Sequence, residues 1–187
     1  MSNISARGGC AFGAKCRIIG LTGPIASGKS EVAKILARHG AFVIDVDKEA
    51  HRLMGLSRAK RQQLAELVFS DPQKLRELNQ LVHPKLKKTI FEKLKIRKFD
   101  SRMIVINAAV LKEIGLIGFC DEVWVVMASK KTRLARLLEK GLSKEAALAR
   151  INSQMGQKNY LKLADVVIDN NGTRKELNGQ VQALFKL

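Results

Sequence analysis

Residues 23–30, GPIASGKS, match the spacing G-x-x-x-x-G-K-[ST], with an apolar run before them and a helical pattern after them. Each position has a physical task. Gly23 and Gly28 let the backbone curl, Pro24, Ile25, Ala26 and Ser27 carry it round, and amides of the loop and helix start face a phosphate. Lys29 reaches the β and γ phosphates, and the Ser30 hydroxyl is placed to ligate Mg²⁺. A second signal follows in VIDVD, where Asp45 and Asp47 end an apolar run. On an extended segment residues i and i+2 point the same way. One of the two carboxylates can take the proton of an acceptor hydroxyl while the other orients a helix or a water, or both cap the next helix. Asp121 and Glu122 are no Walker B pair, because they come before a strand and not at its carboxyl end.

The elements that must hold these residues are legible as alternating patterns. RIIGLT, AFVID, MIVIN, EVWVV and DVVID read as five short buried strands. Helical patterns lie between them: from Lys29 to a stop at Gly40, after Pro84, from Lys130 to a stop at Gly141, and from Lys144 behind Ser143. A capping box, T-R-K-E with Thr173 and Glu176, opens the last helix. This order predicts an α/β protein with a five-stranded parallel sheet flanked by helices, with ligands at the carboxyl ends of its strands.

Composition bounds the rest. The 187 residues, 46% apolar, suit a single domain over residues 17–187 behind a flexible leader at 1–16. No apolar run is long enough to span a bilayer, and the leader lacks a signal-peptide core. Three cysteines without metal spacing fit a reducing cytoplasm. The net charge of +17 predicts an anionic partner. The excess is regional, with net +9 over residues 51–98 and net +7 over residues 130–162. Within residues 130–140, Arg133, Arg136 and Lys140 form a cationic stripe over Leu134, Leu137 and Leu138, as in a lid that closes over a triphosphate. Arg136 is the candidate for transition-state charge. Arg150 and Gln154 are four apart on the following helix and share a face.

The segments IGLTGPIASGKSEVAKIL, GAFVIDVDKEAHRL, VFSDPQKLRELNQLVHPKL, RLARLLEKGLSKEAALARINSQ and ADVVIDNNG, in that order, resemble the dephospho-coenzyme A kinase family over nearly everything from residue 17 onward. The resemblance implies a P-loop NTPase fold, with ATP and Mg²⁺ as cofactors and dephospho-CoA as acceptor, phosphorylated on its ribose 3′-hydroxyl. It implies that Asp47 is the base, that His83 with Pro84 lies in a helical acceptor region at 51–98, and that residues 130–159 are a mobile lid. Lys140 and Arg150 are assigned to substrate, and Asn171 and Gly172 to the loop that passes the adenine. The sequence departs from the family in a shorter 51–69 stretch, in Ala108 of NAAVLKE, and in Lys140 where an arginine is common.

Three local expectations accompany this reading. His83 before Pro84 predicts an extended residue followed by a helix start. Asn170, Asn171 and Gly172 suit left-handed backbone. A monomer is expected. A kinase for another small hydroxyl acceptor, such as a nucleoside or nucleotide, shares the loop, the aspartate and the lid. A nucleic-acid-binding NTPase is the rival class, but aromatics are only 5% of the chain, so no nucleic-acid partner is expected.

Overall fold

The computed structural model describes residues 16–57, 59, 60, 64, 71–97 and 102–185. Its centre is a five-stranded sheet of β1 (Arg17–Thr22), β2 (Phe42–Asp45), β3 (Met103–Asn107), β4 (Glu122–Met127) and β5 (Val166–Asp169). The strands run parallel in the order β2-β3-β1-β4-β5. The β1 strand is therefore central, and the loop that leaves it emerges at the middle of the carboxyl edge.

Seven helices are described: α1 (Lys29–Arg38), α2 (Val46–Met54), α3 (Pro72–Arg97), α4 (Lys130–Glu139), α5 (Lys144–Asn152), α6 (Gln157–Leu161) and α7 (Arg174–Phe185). Alternate residues of the strands feed two cores. Ile104, Ile106, Val123 and Val125 pack on the face that carries Leu86, Ile90 and Leu94 of α3. Ile19, Leu21, Trp124 and Val126 pack on the face that carries Ile35 and Leu36 of α1 and Leu177 and Val181 of α7. Burial on both faces is why these strands read as unbroken apolar runs. Cys16 is 6% exposed in the first core, so the folded body includes one residue of the expected leader; residues 1–15, with Cys10, lie outside the described residues, as does much of 58–70.

Caps match the sequence at several ends. Ser129 and Ser143 accept backbone N–H groups of Thr132 and Ala146 at the starts of α4 and α5. The capping box closes in both directions, with Thr173 N–H donating to Glu176 Oε2 at 2.6 Å and Glu176 N–H to Thr173 Oγ1 at 3.2 Å.

Three expectations are corrected. Pro84 does not start a helix; it lies inside α3, and His83 is helical. The ring removes one i→i−4 bond, but Pro84 is on the exposed side, while Leu86, Ile90 and Leu94 at four-residue spacing are buried. Packing of that face outweighs one missing bond. Asp45 and Asp47 do not share an extended segment, because β2 ends at Asp45 and α2 begins at Val46. Asp45 is the N-cap, with its carboxylate 3.1 Å from Lys48 N. At 170–172 no residue is left-handed. Asp169 Oδ1 instead accepts Asn171 N–H at 3.0 Å, a side-chain turn that needs no positive φ. A Cβ at Gly172 would come within 2.1 Å of Glu176 Oε2, so a side chain there would displace that carboxylate from the capping box.

Candidate active site

The loop after β1 bends through positive φ at Gly23 (154°), Ala26 (59°) and Gly28 (99°). At Gly23 a side chain would strike the Val126 carbonyl at 2.3 Å, and at Gly28 it would strike Asn170 Nδ2 at 1.9 Å. Both glycines are thus fixed by space as well as by dihedral. Gly28 caps α1 with no side-chain hydrogen bond, so no capping side chain competes with an anion for the first amides of the helix. Ser30 is exposed in that first turn. Inside the loop, Ser27 is 1% exposed and its Oγ has no hydrogen-bond partner among the described residues.

The outer side of the loop is fastened by residues from distant elements. Arg136 Nη1 donates to the carbonyls of Ala26 and Ser27, both at 3.1 Å, and Nη2 donates to Asn170 O at 2.9 Å. Asn170 Nδ2 donates to Ser27 O at 2.7 Å. Gln154 Oε1 accepts the Ile25 N–H at 2.6 Å. With the Ala26 and Ser27 carbonyls held by Arg136 and Asn170, the loop presents a less repulsive interior to an anion. Asn171 Oδ1 accepts Ser129 N–H at 2.7 Å, which ties the β5–α7 turn to the start of α4.

Lys29 Nζ donates to Asn107 Oδ1 at 2.8 Å and lies 3.5 Å from Asp47 Oδ2. Asn107 is the last residue of β3 and pairs in register with Leu21 and Asp45. Asn107 is not among the residues expected from the sequence, although a polar residue ending a buried apolar run at the carboxyl edge carries the same signal as Asp45. Asp47 also lines a cavity of about 170 Å³ between α2, α3 and residues 108–116, together with Asn79, His83, Met54, Val82 and Val110. Burial pulls the His83 pKa below its ordinary value, and the Glu113 carboxylate and backbone carbonyl oppose that shift.

The sequence-predicted residues divide accordingly. The loop residues, Lys29, Asp47, His83 and Arg136 converge. The cationic stripe is split. Burial lowers the pKa of Arg133, which lies beside Tyr160 with its Nε unpartnered among the described residues, while Lys140 is an exposed C-cap. Arg150 is exposed on α5, and neither it nor Lys140 bonds to the loop among the described residues. Asp121 and Glu122 sit at the amino edge, where Asp121 Oδ2 accepts Ile18 N–H at 2.7 Å and Glu122 pairs with Arg17.

A phosphate loop leaving the central strand of a 2-3-1-4-5 parallel sheet, with a carboxylate beside its lysine, defines a P-loop kinase. Comparison with known proteins narrows the class. The family model for dephospho-CoA kinase matches residues 17–59 and 56–176, and the chain belongs to that family. The dephospho-CoA kinase of Symbiobacterium thermophilum is 38% identical over 91% of this chain and 80% of its own length. That of Carboxydothermus hydrogenoformans is 35% identical over 90% and 93%. Among solved structures, the dephospho-CoA kinase of Campylobacter jejuni superposes with a TM-score of 0.68 at 26% identity, over 91% of this chain and 96% of that one. A shikimate kinase of Acinetobacter baumannii, at 14% identity and a TM-score of 0.60, shares the fold.

Proposed function

We propose that the chain transfers the γ-phosphate of ATP to the ribose 3′-hydroxyl of dephospho-CoA, the last step of coenzyme A synthesis, and that Lys29 and Asp47 are its catalytic residues. One observation carries the residue roles: Asp47 faces Lys29 at 3.5 Å on the phosphate side and lines the cavity shared with His83 on the other. A single carboxylate therefore borders both substrates. From there it accepts the proton of an acceptor hydroxyl as the phosphoryl group departs.

The loop binds the phosphates through its amides, and the unpartnered Ser27 hydroxyl suits a ligand oxygen. Lys29 draws charge from the terminal phosphate, while Asn107 keeps its ammonium at the loop. Arg136 adds positive potential from behind the loop, through the carbonyls it binds. The exposed Ser30 hydroxyl would supply the hard oxygen donor that suits Mg²⁺, which takes most of its ligands from water and nucleotide phosphates. When bound, Mg²⁺ neutralises charge on the β and γ phosphates.

Residues 51–98 are read as the acceptor region, with His83 as a wall of the cavity, and residues 130–159 as the lid, with Lys140 and Arg150 on its outer surface. The turn with Asn171 and Gly172 is read as the adenine edge. No helix among the described residues is long and apolar enough to cross a membrane. A cytoplasmic monomer, without a nucleic-acid partner, completes the reading.

Asp47→Asn should leave ATP affinity unchanged and slow phosphoryl transfer about 10²-fold or more, measured by initial rates with dephospho-CoA. Asp45→Ala should instead cost about 1 kcal/mol of stability as a lost cap. An Asp47→Asn enzyme with the wild-type rate removes Asp47 from catalysis.

A further inference from the structure

The peptide group that joins Ile25 to Pro24 in the phosphate loop is bonded at both ends, and one of its two partners lies far away in the chain. The Pro24 carbonyl accepts the Ser27 N–H at 3.1 Å, a turn internal to the loop. The Ile25 N–H donates at 2.6 Å to Gln154 Oε1, which lies in the turn between α5 and α6. A backbone N–H requires the oxygen of the side-chain amide, so the orientation of the Gln154 amide follows from its partner. The next residue, Ala26, is the one described non-glycine with positive φ, at 59°. A strained residue persists only where its neighbours hold it, and here the N–H of the residue before it is bonded to a side chain 129 positions away.

The side chain of Ile25 is held by the same segment. With Ala26 it packs on the cluster of Leu137, Ala147 and Ile151, to which Leu134 and Leu142 also contribute. Residues 134–154 therefore grip both the backbone and the side chain of one loop residue. A shift of the α5–α6 turn must move the 24–25 peptide or break its bond.

We propose that Gln154 is a positioning residue, whose acceptor oxygen sets the 24–25 peptide and so couples the α5–α6 turn to the conformation of the phosphate loop. The proposal rests on the assignment of residues 23–30 to ATP phosphate. Gln154 acts through the loop, so its removal changes how well the terminal phosphate is aligned and leaves the acceptor cavity untouched.

The test compares the full-length chain with two variants. Gln154→Met keeps length and loses the acceptor; Gln154→Glu keeps an acceptor oxygen. Backbone amide exchange across residues 25–28 should quicken about fivefold in Gln154→Met, the loss of one hydrogen bond, and return to the wild-type rate in Gln154→Glu. In Gln154→Met, kcat should fall by about the same factor while KM for dephospho-CoA and the melting temperature hold. Exchange and kcat within twofold of wild type in Gln154→Met, or exchange equally fast in both variants, overturns the proposal. Wild-type protein that binds ATP but leaves dephospho-CoA unphosphorylated overturns the functional reading instead, and the exchange comparison still decides the role of Gln154.

Discussion

Lys29 is held from two sides, by the Asn107 amide oxygen at 2.8 Å and the Asp47 carboxylate at 3.5 Å. Its ammonium therefore arrives at the loop already oriented, which lowers the reorganisation needed when charge moves onto a phosphate. The motif spacing reveals Lys29, and the polar end of the β3 run marks Asn107, but that the two meet shows only when β3 is set beside β1. The two aspartates teach the same lesson. Their spacing shows that a carboxylate stands at the sheet edge; which one faces Lys29 depends on where β2 gives way to α2, a boundary that falls between them. His83 carries a pH prediction. Its folded pKa lies below the ordinary 6.5, first through burial, with Glu113 opposing. The unfolded chain thus binds that proton more readily, so the contribution is fully present above the unfolded pKa and is lost as pH falls toward the folded one. His83→Gln should make the fall in stability between pH 7 and pH 5 shallower, read by urea unfolding at both values. An identical fall in the two proteins contradicts the assignment.

The elements were legible where burial on both faces leaves a strong pattern. All five strands fall on apolar runs named from the sequence, and α1, α4 and α5 end or begin at the glycines and serines that punctuate them. The pattern failed where long-range packing overrides a local rule. Pro84 reads as a boundary, yet the buried spacing of Leu86, Ile90 and Leu94 continues α3 through it. The Asn170 turn reads as left-handed, yet a carboxylate from Asp169 closes it in ordinary backbone. Glycine gives the prediction at this scale. Gly28 and Gly40 both have φ near 100°, at 99° and 95°, but a Cβ at Gly28 meets Asn170 at 1.9 Å and one at Gly40 meets nothing within 4 Å. Gly40→Ala should cost about 1–2 kcal/mol of stability from dihedral strain and leave ATP binding unchanged. Gly28→Ala should weaken ATP binding at least tenfold as well, because Asn170 must leave the Ser27 carbonyl. Equal ATP affinities in the two variants, measured by titration, would contradict the fastening of the loop described above.

Across the whole molecule, the positive charge predicts an anionic partner without naming one, and the fold resolves much of that ambiguity. The basic residues Lys85, Lys87, Lys88, Lys93 and Lys95 ride on α3, which also walls the cavity that Asp47 borders. ATP and dephospho-CoA are themselves polyanions, so a basic acceptor side needs no nucleic acid to explain it. Some of the charge is spent inside the fold, as where Lys93 pairs with Glu49 and fastens α3 to α2. The sequence carried the phosphate loop and the class of reaction because those depend on contiguous residues. It could not carry the clamp of Arg136, Gln154 and Asn170, whose members meet only after the sheet has ordered their elements. The most direct test of the account is ADP formation from ATP and Mg²⁺ with and without dephospho-CoA, with the acceptor followed by mass. Strong stimulation is expected, with an acceptor that gains one phosphoryl group on its ribose 3′-oxygen. ATP turnover that dephospho-CoA leaves unchanged, with no phosphorylated acceptor, would contradict it.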